Sequence, residues 1–295
     1  MNPRRVINVA SVPHRSPFRY PGGKTWLVPY VRLWLHSLPS PPSEFSEPFA
    51  GGAIVGLSVL FDGLCNRLTI VELDDDVASV WKTILNGNAE SLAERIASFR
   101  ISRESVEAVL GKCPETLVDQ AFSTILRNRV QRGGIMAPGA SLMKHGENGK
   151  GLSSRWYPQT LRGRILAIGE KRHRIRFVHG DGIQYIRENA DRQDLALLID
   201  PPYTVAGRRL YVHSEIDHAK LFQLVSSVRG QLLMTYDNVQ EIRDLAHSFG
   251  FQAEEIAMKN THHEVMSELL VGKNLDWLRS SERWNPGQNS LFECL

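Results

Sequence analysis

The chain has 295 residues, 42% of them hydrophobic and 23% charged, with a net charge of +3, and is long enough to bury a substantial core without covalent staples. Three scattered cysteines (Cys65, Cys113 and Cys294) supply neither a disulfide framework nor a zinc spacing, so a reducing cytoplasmic setting is expected. No apolar run approaches bilayer-spanning length, and residues 1–17 lack the apolar core of a signal peptide.

The first patterned segment is Phe18-Arg19-Tyr20-Pro21-Gly22-Gly23-Lys24. A lysine beyond a Pro-Gly-Gly turn can neutralise a carboxylate, and an aromatic beside it can face a cation through its quadrupole. Residues 44–49 read as a strand that runs into Pro48-Phe49-Ala50-Gly51-Gly52-Ala53, and residues 53–61 as the helix after it. The glycine pair allows close approach of backbone to a ligand, or serves simply as a tight turn. It is neither a dinucleotide fingerprint nor a P-loop. A buried strand at 68–71 ends in Glu72-Leu73-Asp74. An acid at that point can accept from ribose hydroxyls, or can favour the start of the helix expected over 76–85.

Helical patterning over 86–128 and a glycine-rich basic loop over 133–151 then interrupt the alternation. Between Thr124 and Arg176 there are twelve Lys and Arg against two acids, a local excess of ten in a chain whose whole net charge is +3. Such a block suits a polyanion, or is a solvated face beside a loop. Strands are expected at 175–178, 195–199, 232–235, 251–257 and 265–271, with a helix over 216–228. Asp181, in His179-Gly180-Asp181-Gly182, can pair with an adenine amino group or cap the next helix. Alternating strands and helices imply an α/β fold with a mostly parallel sheet covered on both faces.

The densest chemical signal is Asp200-Pro201-Pro202-Tyr203 after the apolar run Leu195-Ala196-Leu197-Leu198-Ile199. Two prolines stiffen the turn and leave carbonyls without competing N–H donors. Asp200 and the Pro201 carbonyl can accept both hydrogens of an exocyclic amino group while Tyr203 stacks on the attached base. His262-His263-Glu264 offers no further ligands at zinc spacing and reads as a strand-edge polar patch. Trp277 and Trp284, in the tail, can stack on bases or pin an extension to the core.

Taken in order, Tyr20-Pro21-Gly22-Gly23-Lys24, Glu47-Pro48-Phe49-Ala50-Gly51-Gly52, Glu72, a basic insertion, Asp181 and Asp200-Pro201-Pro202-Tyr203 resemble the Dam-type DNA adenine N6-methyltransferases over residues 18–272. The resemblance implies a Rossmann-like methyltransferase sheet and S-adenosylmethionine as cofactor, with no metal. It implies that Tyr20, Gly22, Gly23 and Lys24 hold the methionine portion, and that Pro48, Phe49, Ala50 and Gly51 form the cradle. Glu72 would take the ribose hydroxyls and Asp181 the adenine, with Leu73 and Gly182 also among the cofactor-binding residues; Asp200, Pro201 and Tyr203 would receive the target base, with Pro202 in the same catalytic turn. Residues 1–85 and 170–273 would form the catalytic domain, 86–169 a target-recognition subdomain, and 274–295 a tail of no assigned role.

Within the insertion Arg127, Arg129, Arg132, Lys144, Lys150 and Arg155 are the candidate DNA-binding residues. The implied partner is double-stranded DNA, with a restriction endonuclease as a candidate second partner, no membrane, and a monomer in a prokaryotic or phage-infected cytoplasm. Ala53 stands where many methyltransferases carry glycine, and residues 131–155 do not match the DNA-reading hairpin of GATC-specific members. RNA adenine and protein glutamine methyltransferases more often carry Asn at the Asp200 position, and cytosine N4-methyltransferases Ser. A non-catalytic DNA-binding protein of the same fold is the rival from another class.

Overall fold

The computed structural model describes residues 11–19, 23–134, 136, 141–144, 149–202, 216–259 and 265–280. Tyr20, Pro21, Gly22, Tyr203, His262, His263, Glu264 and Trp284 lie outside the described residues. Among the described residues seven strands form one sheet: β1 (Glu44–Glu47), β2 (Arg67–Glu72), β3 (Ile175–His179), β4 (Leu195–Ile199), β5 (Gln231–Asp237), β6 (Gln252–Lys259) and β7 (Val265–Gly272). Their order is β3-β2-β1-β4-β5-β7-β6. Strands β1 to β5 pair in parallel, whereas β7 runs antiparallel to both β5 and β6. This is the expected Rossmann-like, mostly parallel sheet. Because β1 pairs with both β2 and β4, the order reverses there, and ligands bind open α/β sheets beyond the carboxyl ends of strands at such a switch.

Two apolar cores lie on the two faces, and strand alternation assigns residues to each. Leu195, Leu197 and Ile199 of β4 face one core with Met234 and Val271. On that side lie α8 (Gly182–Glu188), α9 (His218–Ser226) and α10 (Gln240–Ser248). Ala196 and Leu198 face the other core with Phe45, Leu68 and Ile70. There the covering helices are α1 (Val28–Ser37), α2 (Ile54–Phe61) and α3 (Asp75–Thr83). Asp74 caps α3 by accepting from the Val77 N–H, and Val77, Val80 and Trp81 are buried at the expected helical spacing. Helix α1 was not anticipated; Pro29 sits in its first turn, where a missing N–H costs nothing.

Between β2 and β3 the chain adds α4 (Ala89–Ser98), α5 (Arg103–Leu110), α6 (Leu117–Val130) and α7 (Pro158–Glu170). Capping boxes at Ser102 and Thr116 start α5 and α6. Leu92, Ile96, Val106, Ile125 and Ile165 of these helices join the same core as Phe45 and Leu68. Beyond α6, Met143 N donates to the Val130 carbonyl, Arg132 N donates to the Ser141 carbonyl, and Gln131 pairs antiparallel with Leu142. The basic segment therefore opens with a short two-stranded ribbon, which its sequence did not announce. In the tail, α11 (Asp276–Ser280) follows the buried Leu275, and Trp277 packs against the core.

Residues 16–19 are stitched to the inserted helices. The Asn128 amide accepts from Arg19 N at 2.9 Å and donates to the carbonyls of Arg19 at 2.7 Å and Gly134 at 3.1 Å. Arg129 donates to the Pro17 carbonyl and Arg164 to that of Ser16. A Cβ on Gly134 would lie 2.6 Å from the Arg19 carbonyl oxygen, so no side chain fits.

One residue is held against its intrinsic preference. Ala53, the cap residue of α2, has φ +47°, the left-handed region that costs L-residues about 1–2 kcal/mol. Ala53→Gly is expected to raise stability by about 1 kcal/mol in urea denaturation, with an unchanged denaturant slope.

Candidate active site

The carboxyl ends of β1, β2 and β3 converge. Leaving β1, the chain turns through Phe49 to Gly52, with Ala50 N bonded to the Val71 carbonyl and Ala53 N to that of Ala50. Glu72, at the end of β2, holds this turn. Its Oε2 accepts from Gly51 N at 2.9 Å, and its Oε1 accepts from Leu73 N and Asp74 N at 2.8 and 2.9 Å. Trp81 Nε1 donates to the Gly51 carbonyl from the other side. Burial, with the Asp74 charge adding, pushes the Glu72 carboxyl up to about 7 despite these three N–H donors.

Leu73, next to it, is 44% exposed, an apolar ledge at the sheet edge. The third turn closes against the first: a Cβ on Gly182 would lie 2.1 Å from the Pro48 carbonyl oxygen. Asp181 Oδ1 accepts from Ile183 N at 2.6 Å and Gln184 N at 3.4 Å, so its capping role is realised, while the residue stays exposed at the rim. The structure thus brings Pro48, Phe49, Ala50, Gly51, Glu72, Leu73, Asp181 and Gly182 together.

Asp200 leaves β4 on the other side of β1. Its Oδ1 accepts from Thr235 Oγ1 at 2.6 Å and lies 3.2 Å from Lys24 Nζ. The same ammonium is 2.5 Å from Oε2 of Glu268, a residue of β7 with 5% exposure. Burial works against the charge on Lys24, yet the carboxylates of Asp200 and Glu268 hold it above the ordinary lysine value. Lys24 is therefore engaged by two acids of its own chain, a pairing the sequence did not suggest. Pro201 is buried and Pro202 half-buried behind Asp200. Asp237, ending β5, is raised by burial, opposed by Lys24 and reinforced by Asp200.

Glu47 completes this acidic edge. It is buried, accepts from the Gly56 N–H at the start of α2, and is pushed up to about 8, first by burial and also by the Asp200 charge.

The six candidate DNA-binding residues divide. Arg132, Lys144 and Lys150 are exposed and Arg155 is half-buried. Arg127 is paired with Asp76 at 2.6 Å. Arg129 corrects the expectation of a surface contact. It is 6% exposed and donates to the Pro17 carbonyl, and burial beside Arg164 lowers it to about 10. A second concavity, at the opposite edge near Arg67 and Arg174, is crossed by the Arg192–Glu44 and Arg192–Asp194 ion pairs and contains none of the motif residues. Among the described residues no group of three or more His, Cys, Asp or Glu is placed to hold a metal ion.

No protein-family model matches this chain, and no curated protein matches it. Solved structures show similarity of the sheet. An rRNA methyltransferase, aviRa, from Streptomyces viridochromogenes is 13% identical with a TM-score of 0.43, over 94% of this chain and 97% of that one. Spermidine synthase from Thermotoga maritima is 11% identical with a TM-score of 0.39, over 86% and 61%. The B. subtilis M1A22 tRNA methyltransferase TrmK is 10% identical with a TM-score of 0.35, over 84% and 68%. Likeness at this level bears on neither substrate nor activity.

The raised carboxyls give a signed pH dependence. Between the ordinary glutamate value of 4.5 and about 8, folded Glu47 keeps a proton that the unfolded chain releases. Its contribution to stability is complete below about pH 4.5 and is lost as pH rises through 8, and Glu72 acts in the same sense up to about 7. Stability in urea should therefore fall between about pH 5 and about pH 8.5, and Glu47→Gln should remove most of that decline.

Proposed function

We propose that this chain is an S-adenosylmethionine-dependent methyltransferase that modifies the exocyclic amino group of adenine in a nucleic acid, with duplex DNA as its substrate. The observation that carries the reading is the position of the Asp200-Pro201 turn. It lies beside the topological switch, with its carboxylate oriented by Thr235 and Lys24, across β1 from the Glu72 cradle. The cradle fits the cofactor: an apolar ledge at Leu73 for a flat ring, a carboxylate at Glu72 for hydroxyls, and a turn at Gly51 without a side chain in the way. When bound, S-adenosylmethionine supplies a methyl group activated by a sulfonium.

The residues of the chain then have to prepare the nucleophile. An adenine amino nitrogen shares its lone pair with the ring and is a poor nucleophile. The Asp200 carboxylate and the Pro201 carbonyl, by accepting its two hydrogens, favour a tetrahedral nitrogen with its lone pair aimed at the methyl carbon. This nitrogen would receive the methyl group from S-adenosylmethionine held at the Glu72 cradle, which would leave as the neutral thioether, and the surplus amino proton would pass to water. Catalysis is then mainly alignment and placed charge. Extruding the base from a duplex costs a few kcal/mol, partly recovered in the pocket.

Support for DNA comes from the ordered motifs, from Asp rather than Asn at position 200, and from the exposed cations Arg132, Lys144 and Lys150. An RNA amino group is the second reading, because the acceptors at Asp200 and Pro201 do not sense the sugar. RNA therefore enters the assay beside DNA. Labelled methyl transfer to unmethylated genomic DNA, rRNA and tRNA, followed by nucleoside analysis, tests the reading. N6-methyladenine in DNA supports it, methylated RNA alone moves the substrate, and cofactor binding without transfer to any of them defeats it.

Asp200→Ala is expected to lower transfer by roughly 10²–10³-fold or more while cofactor affinity changes by less than about threefold, read by calorimetry and single-turnover kinetics. Lys144→Gln with Lys150→Gln should reduce the slope of log affinity against log salt by about two, since each phosphate contact contributes roughly 0.9.

A further inference from the structure

Of the carboxyl groups at this edge, Glu268 has no place in the mechanism above. It stands in β7 beside Leu269, Leu270 and Val271, each fully buried. A charged carboxylate in such a strand is costly unless paired. Its neighbour makes the cost larger, since Glu268 lies directly opposite Asp237 of β5 and like charges across strands repel. Among the described residues the charge paired with Glu268 is Lys24, which also reaches Asp200.

An ammonium has three N–H donors and can serve two carboxylates at once. The distances are unequal: Lys24 Nζ is 2.5 Å from Glu268 and 3.2 Å from Asp200. We propose that Glu268 is a positioning residue that takes the larger share of the Lys24 ammonium, so that Lys24 fixes the orientation of Asp200 without neutralising it as a hydrogen-bond acceptor. Lys24 already touches Oδ1 of Asp200 at 3.2 Å, and an exclusive pair between the two would weaken the carboxylate further as a partner for the amino hydrogens. Glu268 prevents that collapse by competing for the same donor. Thr235, bonded to Oδ1 of Asp200 at 2.6 Å, supplies a second, uncharged restraint on its orientation. The catalytic part of this inference rests on the methyltransferase reading; the competition for Lys24 does not.

The test uses the whole chain with ¹⁵N-labelled lysine and ¹³C-labelled aspartate. In Glu268→Gln the Lys24 Nζ titration should move down by at least about one pH unit, and the Asp200 Cγ resonance should shift. In a Lys24→Met background, Glu268→Gln should leave Asp200 Cγ in place. Glu268→Asp, which keeps the charge, should give a Lys24 titration between wild type and Gln, and serves if the Gln variant does not fold. An unchanged Lys24 titration in either variant, or the same Asp200 shift with and without Lys24, overturns the proposal.

With an active enzyme, Glu268→Gln should lower kcat about tenfold while KM for nucleic acid and cofactor affinity stay within about threefold, and should add no further loss to Lys24→Met. Multiplicative losses in the double variant overturn it. If wild type methylates no nucleic acid, the methyltransferase reading fails and the resonances still decide who holds Lys24.

Discussion

A single carboxylate ties the site to the sheet. Glu72 answers three backbone N–H groups, one on the turn after β1 and two on the turn after its own strand. Buried N–H groups at strand ends need partners, and here one side chain supplies them for two adjacent loops. With Gly51 held, Trp81 can bond its carbonyl, and α3 is fixed to the same turn. The contact of Gly182 with Pro48 adds the third loop. The three turns are thus held to one another by their own bonds and close contacts.

The other half of the site is organised by charge. Asp200, Asp237, Glu268 and Glu47 share one edge, with Lys24 the lysine among them in the described residues. Burial answers part of this crowding by keeping Glu47 protonated, and Lys24 answers another part by bridging β4 and β7. Such an arrangement crowds like charges on one edge and depends on pairing to keep them there.

Much of this was legible in the sequence because its chemistry sits where patterns change. Apolar runs ending in Glu72 and Asp200 locate strand ends without further information, and the seven strands fall within a few residues of their expected places. Thr235 and Glu268 were hidden because each lies inside a strand whose apolar neighbours set the pattern; the pairing of β4 with β5 brings Thr235 beside Asp200, and that of β5 with β7 brings Glu268 to the same edge. Arg129 was misread for a related reason. Charge alone suggested a surface, whereas the Pro17 carbonyl, more than a hundred residues away in sequence, gives its guanidinium an interior partner. The left-handed Ala53 carries no mark in composition, since glycine is the residue that would announce it.

The stitching of residues 16–19 has a consequence for how the chain is made. The partners of this segment are the Asn128 amide, the Arg129 guanidinium and that of Arg164, the last separated from Ser16 by 148 positions. During synthesis residues 16–19 leave the ribosome more than a hundred residues before the groups of α6 and α7 that hydrogen-bond them, although Trp81, which Phe18 meets, comes sooner. Contacts so distant in sequence close slowly. Residues 16–19 thus gain their full set of partners only once α6 and α7 have been made, and with them the approach to Lys24.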